Sequence, residues 1–197
     1  MRKAKSGSET HSPFAIQNTI GYKNFEKRRR SNVCIKVNFR VVLEMEFIIR
    51  PAKPEDAESI GRLARELIEY LRSIGDDAEQ KFDAKIYLRD GFNSNPAFLG
   101  IVAEQSGEVV GYLLYHFGYD VDYATRTLHV IDLYVGENPR GQGIGRALMK
   151  QAGDICRAFG GTQLFWAVYE PNKSAIQFYE RLGARFTKNL LFMRLDV

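Results

Sequence analysis

No run of this chain reaches the roughly 20 apolar residues a helix needs to cross a bilayer, so a membrane-spanning helix is excluded. The start lacks the charged region, apolar centre and small-residue cleavage site of a secretory leader. Cysteine is scarce. Cys34 and Cys156 are far apart and have no metal-ligand spacing. A disulfide framework and a Cys-based zinc site are therefore not expected, and no metal site is read. Two reduced thiols point to the cytoplasm. No internal repeat is present.

What is there is ordinary for a globular protein: 45% hydrophobic and 26% charged residues over 197 positions, which excludes wholesale disorder and a collagen-like chain. The net charge of +4 is unevenly placed. Residues 1–44 hold 10 Lys/Arg and 3 Asp/Glu, whereas residues 45–197 hold 18 and 21. The basic character belongs to the first segment alone. That segment contains the run Lys27-Arg28-Arg29-Arg30, then an alternating stretch from Val33 to Val41 that reads as an extra edge strand. A nucleic-acid arm, a targeting peptide and a flexible extension without chemistry are its three readings. Met45 directly precedes the first convincing domain element and reads as a natural start. The expected organisation is a basic, flexible extension over 1–44 and one compact domain over 45–197.

Within that domain the pattern predicts a mixed α/β fold. Phe47 to Arg50 is a strand stopped by Pro51 and Pro54, and Pro54 suits the first turn of a helix. Apolar residues at Ala57, Ile60, Ala64, Leu67, Ile68 and Leu71 form the stripe of an amphipathic helix. Residues 83–90 read as a shorter helix. Phe98 to Glu104 and Glu108 to His116 are strands joined at Ser106-Gly107, and Thr127 to Val135 completes a meander. Gly143 to Phe159 is a helix ended by Gly160-Gly161. A strand over Leu164 to Tyr169, a helix over Asn172 to Leu182 capped by Asn172, and a last strand over Arg185 to Asp196 follow. The order is β-α-α-β-β-β-α-β-α-β.

The chemistry concentrates after the meander. Arg140-Gly141-Gln142-Gly143-Ile144-Gly145 lies between a strand and a helix. Alternate glycines let backbone N–H groups face an anion with no Cβ in the way, and the helix start adds open donors and partial positive charge. This suits a pyrophosphate; a plain tight turn is the bland alternative. The spacing is not that of a dinucleotide fold, and the Lys-Ser/Thr ending of a P-loop is missing.

A second segment, Asn172-Lys173-Ser174 through Phe178-Tyr179 to Gly183-Ala184, follows the next strand. Together, Arg140-x-x-Gly143-x-Gly145 and Asn172-x-Ser174 leading to Tyr179 and Gly183 resemble the two cofactor segments of the GNAT N-acetyltransferase superfamily. Ile49-Arg50-Pro51-Ala52, Asp90-Gly91-Phe92, the stretch from Leu113 to Asp120, and Phe178 to Ala184 resemble the spermidine/spermine and related diamine acetyltransferases. The resemblance covers residues 46–197.

It implies acetyl-CoA as acetyl donor, a primary amine as acceptor (a polyamine, a diamine or a lysine-like molecule) and a homodimer. Leu133, Tyr134 and Val135 would bind the pantetheine arm through the backbone. Arg140, Gly141, Gln142, Gly143, Ile144, Gly145 and Arg146 would form the pyrophosphate loop, and Asn172 and Ser174 would line its other side. Tyr179 would protonate the leaving thiolate, as a neutral phenol can. Tyr70, Phe165 and Trp166 would contact the acceptor. Such enzymes carry a Glu-Asp pair on the third meander strand; here those positions read Ile131-Asp132. A further acidic position, after Tyr70, is Leu71. Both losses turn the reading away from a strict spermidine acceptor. Asp132 is the candidate for amine contact or proton acceptance, or else a buried carboxylate bonded to backbone. His129, two residues before Ile131 and on the same side of an unbroken strand, is a second base candidate. Outside an enzyme, a silent acyl-CoA-binding module would keep the cradle without a base.

Overall fold

The structure is a computed structural model that describes residues 47–79, 81–188 and 191–196. The basic segment, its strand over 33–41 and the start at Met45 lie outside the described residues. The chain begins with β1 (Phe47–Pro51), then a 3-10 turn with Pro54 at its start leads into α1 (Ala57–Ser73). Helix α2 (Ala84–Gly91) is capped by the Asp83 side chain, which accepts from the Ile86 N–H at 2.8 Å. The meander is β2 (Leu99–Gln105), β3 (Glu108–Asp120) and β4 (Thr125–Val135). Then come α3 (Ile144–Ala158), β5 (Gly161–Phe165) and α4 (Lys173–Arg181).

The five strands lie in sequence order in one sheet, antiparallel except for the parallel pair β4 and β5. Each face carries a separate apolar layer. On one face Val102, Tyr112, Leu114 and Tyr134 pack under α1 residues Ile60, Leu63 and Ala64 and under Tyr87 of α2. On the other, Ile101, Leu113, Leu128 and Val130 pack under Ile144, Leu148, Ala152 and Cys156 of α3, with Phe178 and Tyr179 of α4 at the margin. Burying Ile60, Leu63, Leu128 and Leu148 completely contributes roughly 1.5–3 kcal/mol each. At the entrance to α1, Arg50 bonds both oxygens of Asp56 at 2.8 Å and Glu104 at 2.7 Å. Burial alone would raise the Asp56 carboxyl, but Arg50 and the Lys53 N–H hold it below the usual range.

One irregularity matters for the site. Leu114 pairs with Asp132 and Tyr115 pairs with Val130, so Ile131 has no partner on β3. This β-bulge changes which side chains share a face. Asp132 joins Tyr112 on the α1 face, while Ile131 is 46% exposed. His129 therefore shares a face with Asp132, not with Ile131 as an unbroken strand would have it.

Two predicted strands are corrected. The strand placed at Leu164 to Tyr169 begins earlier, at Gly161, and ends at Phe165. Gly160, at φ +82°, is the turn residue, and Gly161 already pairs with Arg126 in the sheet, so closely that a Cβ would meet the Arg126 carbonyl oxygen at 2.8 Å. The predicted last strand over Arg185 to Asp196 is absent among the described residues 185–188 and 191–196. Their apolar side chains, including Phe186, Leu191 and Met193, stay exposed. An apolar pattern makes a strand only where a ladder partner exists.

Candidate active site

Strands β4 and β5 pair from Arg126 with Gly161 up to His129 with Phe165. Beyond that last pair β4 continues to Val135, and β5 ends. The parting opens the sheet between its two faces. A cleft of about 490 Å³ lies along the continuing part of β4, within the usual size of a small-molecule site.

The cleft collects most of the residues that the sequence singled out. Leu133, Tyr134 and Val135 form one wall, Gly141, Gly143, Ile144, Gly145 and Arg146 the loop, and Asn172, Ser174 and Tyr179 the α4 side. Gly141 and Gly143 have φ of +80° and +84°, the left-handed region that glycine adopts without strain, and a Cβ on either would meet nothing. Helix α3 starts at Ile144 without a side-chain cap. The N–H groups of its first turn therefore have no partner within the helix. They face an opening large enough for an extended cofactor arm, and the positive helix end adds to their pull on an anion. This donor set fits the diphosphate of acetyl-CoA.

Three positions sit differently from the simplest expectation. The Arg140 guanidinium folds back, donating to the Val135 carbonyl and the Tyr134 hydroxyl at 3.1 Å and lying over the rings of Tyr134 and Tyr70. It braces the loop. The Gln142 side chain accepts from Gln105 at 2.9 Å and lines the neighbouring groove instead of the cleft. Tyr70, expected at the acceptor, lines the same cleft as the loop and donates its hydroxyl to Asn172 Oδ1 at 3.0 Å. That oxygen also caps α4 by accepting from the Ala175 N–H at 3.0 Å. One side chain thus ties α1 to α4 across the cleft.

The two proposed catalytic groups approach from opposite faces. Asp132 accepts a 2.5 Å hydrogen bond from the Tyr112 hydroxyl and another from the Leu133 N–H. Burial pushes its carboxyl up to about 6 despite those two bonds. Tyr179 packs among Trp166 and Phe178, with ring centroids 4.9 and 5.1 Å away. Burial, and next the Asp132 charge, push its phenol up to about 12. Tyr179 is therefore protonated throughout the neutral range and feels the Asp132 carboxylate. Asp132, Phe165 and Trp166 are not among the residues lining the cleft; the Phe165 ring lies 6.2 Å from that of His129, and Trp166 supports Tyr179.

Two features escaped the sequence. Tyr112 gives no local signal, since its partner Asp132 is set by strand register. The same holds for His116, which β3 brings opposite His129 at 2.8 Å between ring nitrogens. Among the described residues no helix is long and apolar enough to cross a membrane, and no group of three or more metal-ligating side chains assembles.

Comparison with known proteins agrees with this geometry. The family model described as "Acetyltransferase (GNAT) family" matches residues 63–184. Thialysine N-epsilon-acetyltransferase of Sus scrofa is 37% identical over 146 residues, covering 70% of this chain and 84% of that protein. Spermidine/spermine N(1)-acetyltransferase-like protein 1 of Homo sapiens is 32% identical over 145 residues, covering 70% of this chain and 20% of its own length. Among solved structures, an integron cassette protein from the mobile metagenome of V. cholerae superposes with a TM-score of 0.65 at 25% identity, covering 78% of this chain and 94% of that one. The chain belongs to the acetyltransferase (GNAT) family and is an N-acetyltransferase that draws its acetyl group from acetyl-CoA.

Proposed function

We propose that the acceptor is a small, cationic, lysine-like primary amine, held at Asp132 and acetylated beside Tyr179. The observation that carries this reading is the Asp132 carboxylate itself: a buried anion whose two hydrogen bonds, from Tyr112 and Leu133, leave lone pairs to receive an ammonium group. The thialysine-acetylating relatives at 37% identity support the lysine-like choice. Where the diamine enzymes have a glutamate, this chain has the half-exposed Ile131. One anion in place of two favours an acceptor with one reacting ammonium over a long polyamine.

The reaction needs the amine as a free base. An alkyl ammonium of pKa ~10.4 must give up a proton at a cost of roughly 4–5 kcal/mol at neutral pH. Asp132 fixes the nitrogen at the opening. A backbone N–H of the 132–135 segment stabilises the oxyanion that forms as the amine attacks the thioester carbonyl. Tyr179 then gives its proton to the departing thiolate. The loop from Arg140 to Arg146, with Asn172 and Ser174 opposite, holds the diphosphate so that the carbonyl arrives between the two groups. Tyr70 braces the cleft, and Phe165 and Trp166 shape the acceptor side.

On the same reading, residues 45–197 are the catalytic domain, residues 1–44 are an extension that takes no part in the chemistry, and the enzyme works in the cytoplasm as a homodimer. A thiol-release screen over lysine analogues, diamines, polyamines and peptides tests the acceptor. Highest kcat/KM with a lysine analogue supports the reading. Highest kcat/KM with spermine, or with a peptide amine, overturns it.

A further inference from the structure

With both rings neutral, the His116–His129 pair has one arrangement of protons that satisfies its contacts. The His116 Nδ1 lies 3.2 Å from the Phe117 carbonyl oxygen. A carbonyl only accepts, so this nitrogen carries the hydrogen and, in the neutral ring, Nε2 of His116 is bare. The His129 Nδ1 lies 2.8 Å from that bare Nε2. His129 must then donate from Nδ1, which leaves its own Nε2 without a proton.

The place of His129 on β4 gives this nitrogen a use. His129 forms the last β4 pair with β5 before the strands part, and the bulge at Ile131 puts its side chain on the face of Asp132. The groups around it are His116 from β3, the apolar ring of Phe165 from β5, and Asp132 further along β4. Phe192 packs on Phe165 from beyond, 6.0 Å between centroids. His116 is exposed and His129 is partly buried, so the pair leads from His129 outward to solvent.

We propose that His129 Nε2 accepts the first proton of the acceptor ammonium, and that His116 is a positioning residue that fixes the His129 tautomer. This rests on the acceptor reading above. The balance closes. The ammonium carries three hydrogens on nitrogen and the amide product keeps one. One proton leaves to His129 and then to water, which frees the lone pair for attack. The other leaves the nitrogen as the C–N bond forms and the C–S bond breaks, and it replaces the proton that Tyr179 gives to sulfur. Burial, and then His116, lower the affinity of His129 for a proton, so it is unprotonated and ready at neutral pH.

The tests are made on the full chain. Long-range imidazole 15N NMR at pH 7.5 should show both rings with hydrogen on Nδ1; a hydrogen on His129 Nε2 overturns the proposal. In steady-state kinetics with the best lysine analogue, kcat/KM should fall on the acid side with a limiting slope of two, from His129 and Asp132 together. His129→Gln should lower kcat/KM at pH 7.5 by on the order of 10²-fold, and reduce the slope to one, with acetyl-CoA affinity unchanged. His116→Gln should keep the slope of two, lower the rate by about tenfold and move the limb. A His129→Gln enzyme that keeps the slope of two, whatever its rate, shows a merely structural histidine and overturns the proposal. If lysine analogues are not acetylated, the acceptor reading fails, and the same profile with whichever primary amine the enzyme accepts still decides the role of His129.

Discussion

Tyr112 on β3 and Asp132 on β4 meet at 2.5 Å because a bulge at Ile131 turns the carboxylate onto the face where the tyrosine is fully buried. Tyr112 holds the anion from below, and its hydrogen bond pulls the Asp132 carboxyl down against the larger push of burial. Removing the hydroxyl removes that pull. Tyr112→Phe should therefore move the Asp132 limb of the pH profile above about 6, so that activity at pH 6 falls more than activity at pH 8. A pH profile of kcat/KM for the amine checks this; an unmoved limb separates the pair from the chemistry.

Asp132 also trades stability for function. Its carboxyl titrates near 6 in the folded protein against 3.8 ordinarily. A raised carboxyl pKa means that the folded state holds the proton more tightly than the unfolded chain. Stability is then lost as pH rises from about 4 to about 6, and the penalty at neutral pH is on the order of 2–3 kcal/mol. Asp132→Asn keeps an acceptor for Tyr112 and removes the charge. It should raise Tm at pH 7.5, show little gain near pH 4, and lower kcat/KM for the amine by on the order of 10²-fold. Thermal unfolding across pH, with amine kinetics, checks both halves.

The diphosphate loop depends on backbone shape. Gly143 stands at φ +84° with open space around its missing Cβ. Gly143→Ala meets no clash and acts through strain alone, roughly 1–2 kcal/mol for a left-handed residue. Relief of that strain turns the loop amides away. Acetyl-CoA affinity should weaken about tenfold while kcat at saturation changes little. Isothermal titration with acetyl-CoA gives the answer directly.

The Tyr70–Asn172 bond ties α1 to α4. Tyr70→Phe removes one net hydrogen bond, worth about 0.5–1.5 kcal/mol, and leaves the α4 cap intact. Asn172→Ala removes the bond and the cap and should cost about 1–2 kcal/mol more than a neutral surface change. Denaturant unfolding of both variants should rank Asn172→Ala as the less stable.

Much of this was legible without coordinates, because α1, α3 and the meander follow from local periodicity and the two glycine-bearing segments carry their own spacing. Ile60, Ala64 and Ile68 are buried as the stripe required, and Asn172 caps α4 as its type suggests. The misses share one cause: they depend on which strand lies beside which. Thr162 and Gln163 break an apolar run, so the pattern starts β5 too late, although Gln163 pairs with Thr127 of β4 and the Thr162 hydroxyl bonds that of Thr125. The stretch from Arg185 to Asp196 has apolar residues but no edge to join among the described residues. The bulge at Ile131 has no local signature, and it alone decides that His129 faces Asp132.

The central claim is that acetyl transfer takes place between Asp132 on one face of the sheet and Tyr179 on the other. The most direct test is Tyr179→Phe, with kcat measured by thiol release from saturating acetyl-CoA and a lysine analogue between pH 6 and 10. Since the Tyr179 phenol stays protonated up to about 12, the account predicts a loss on the order of 10²-fold, of equal size at every pH, with acetyl-CoA binding unchanged. An unchanged kcat, or a loss that appears only at high pH, would contradict it.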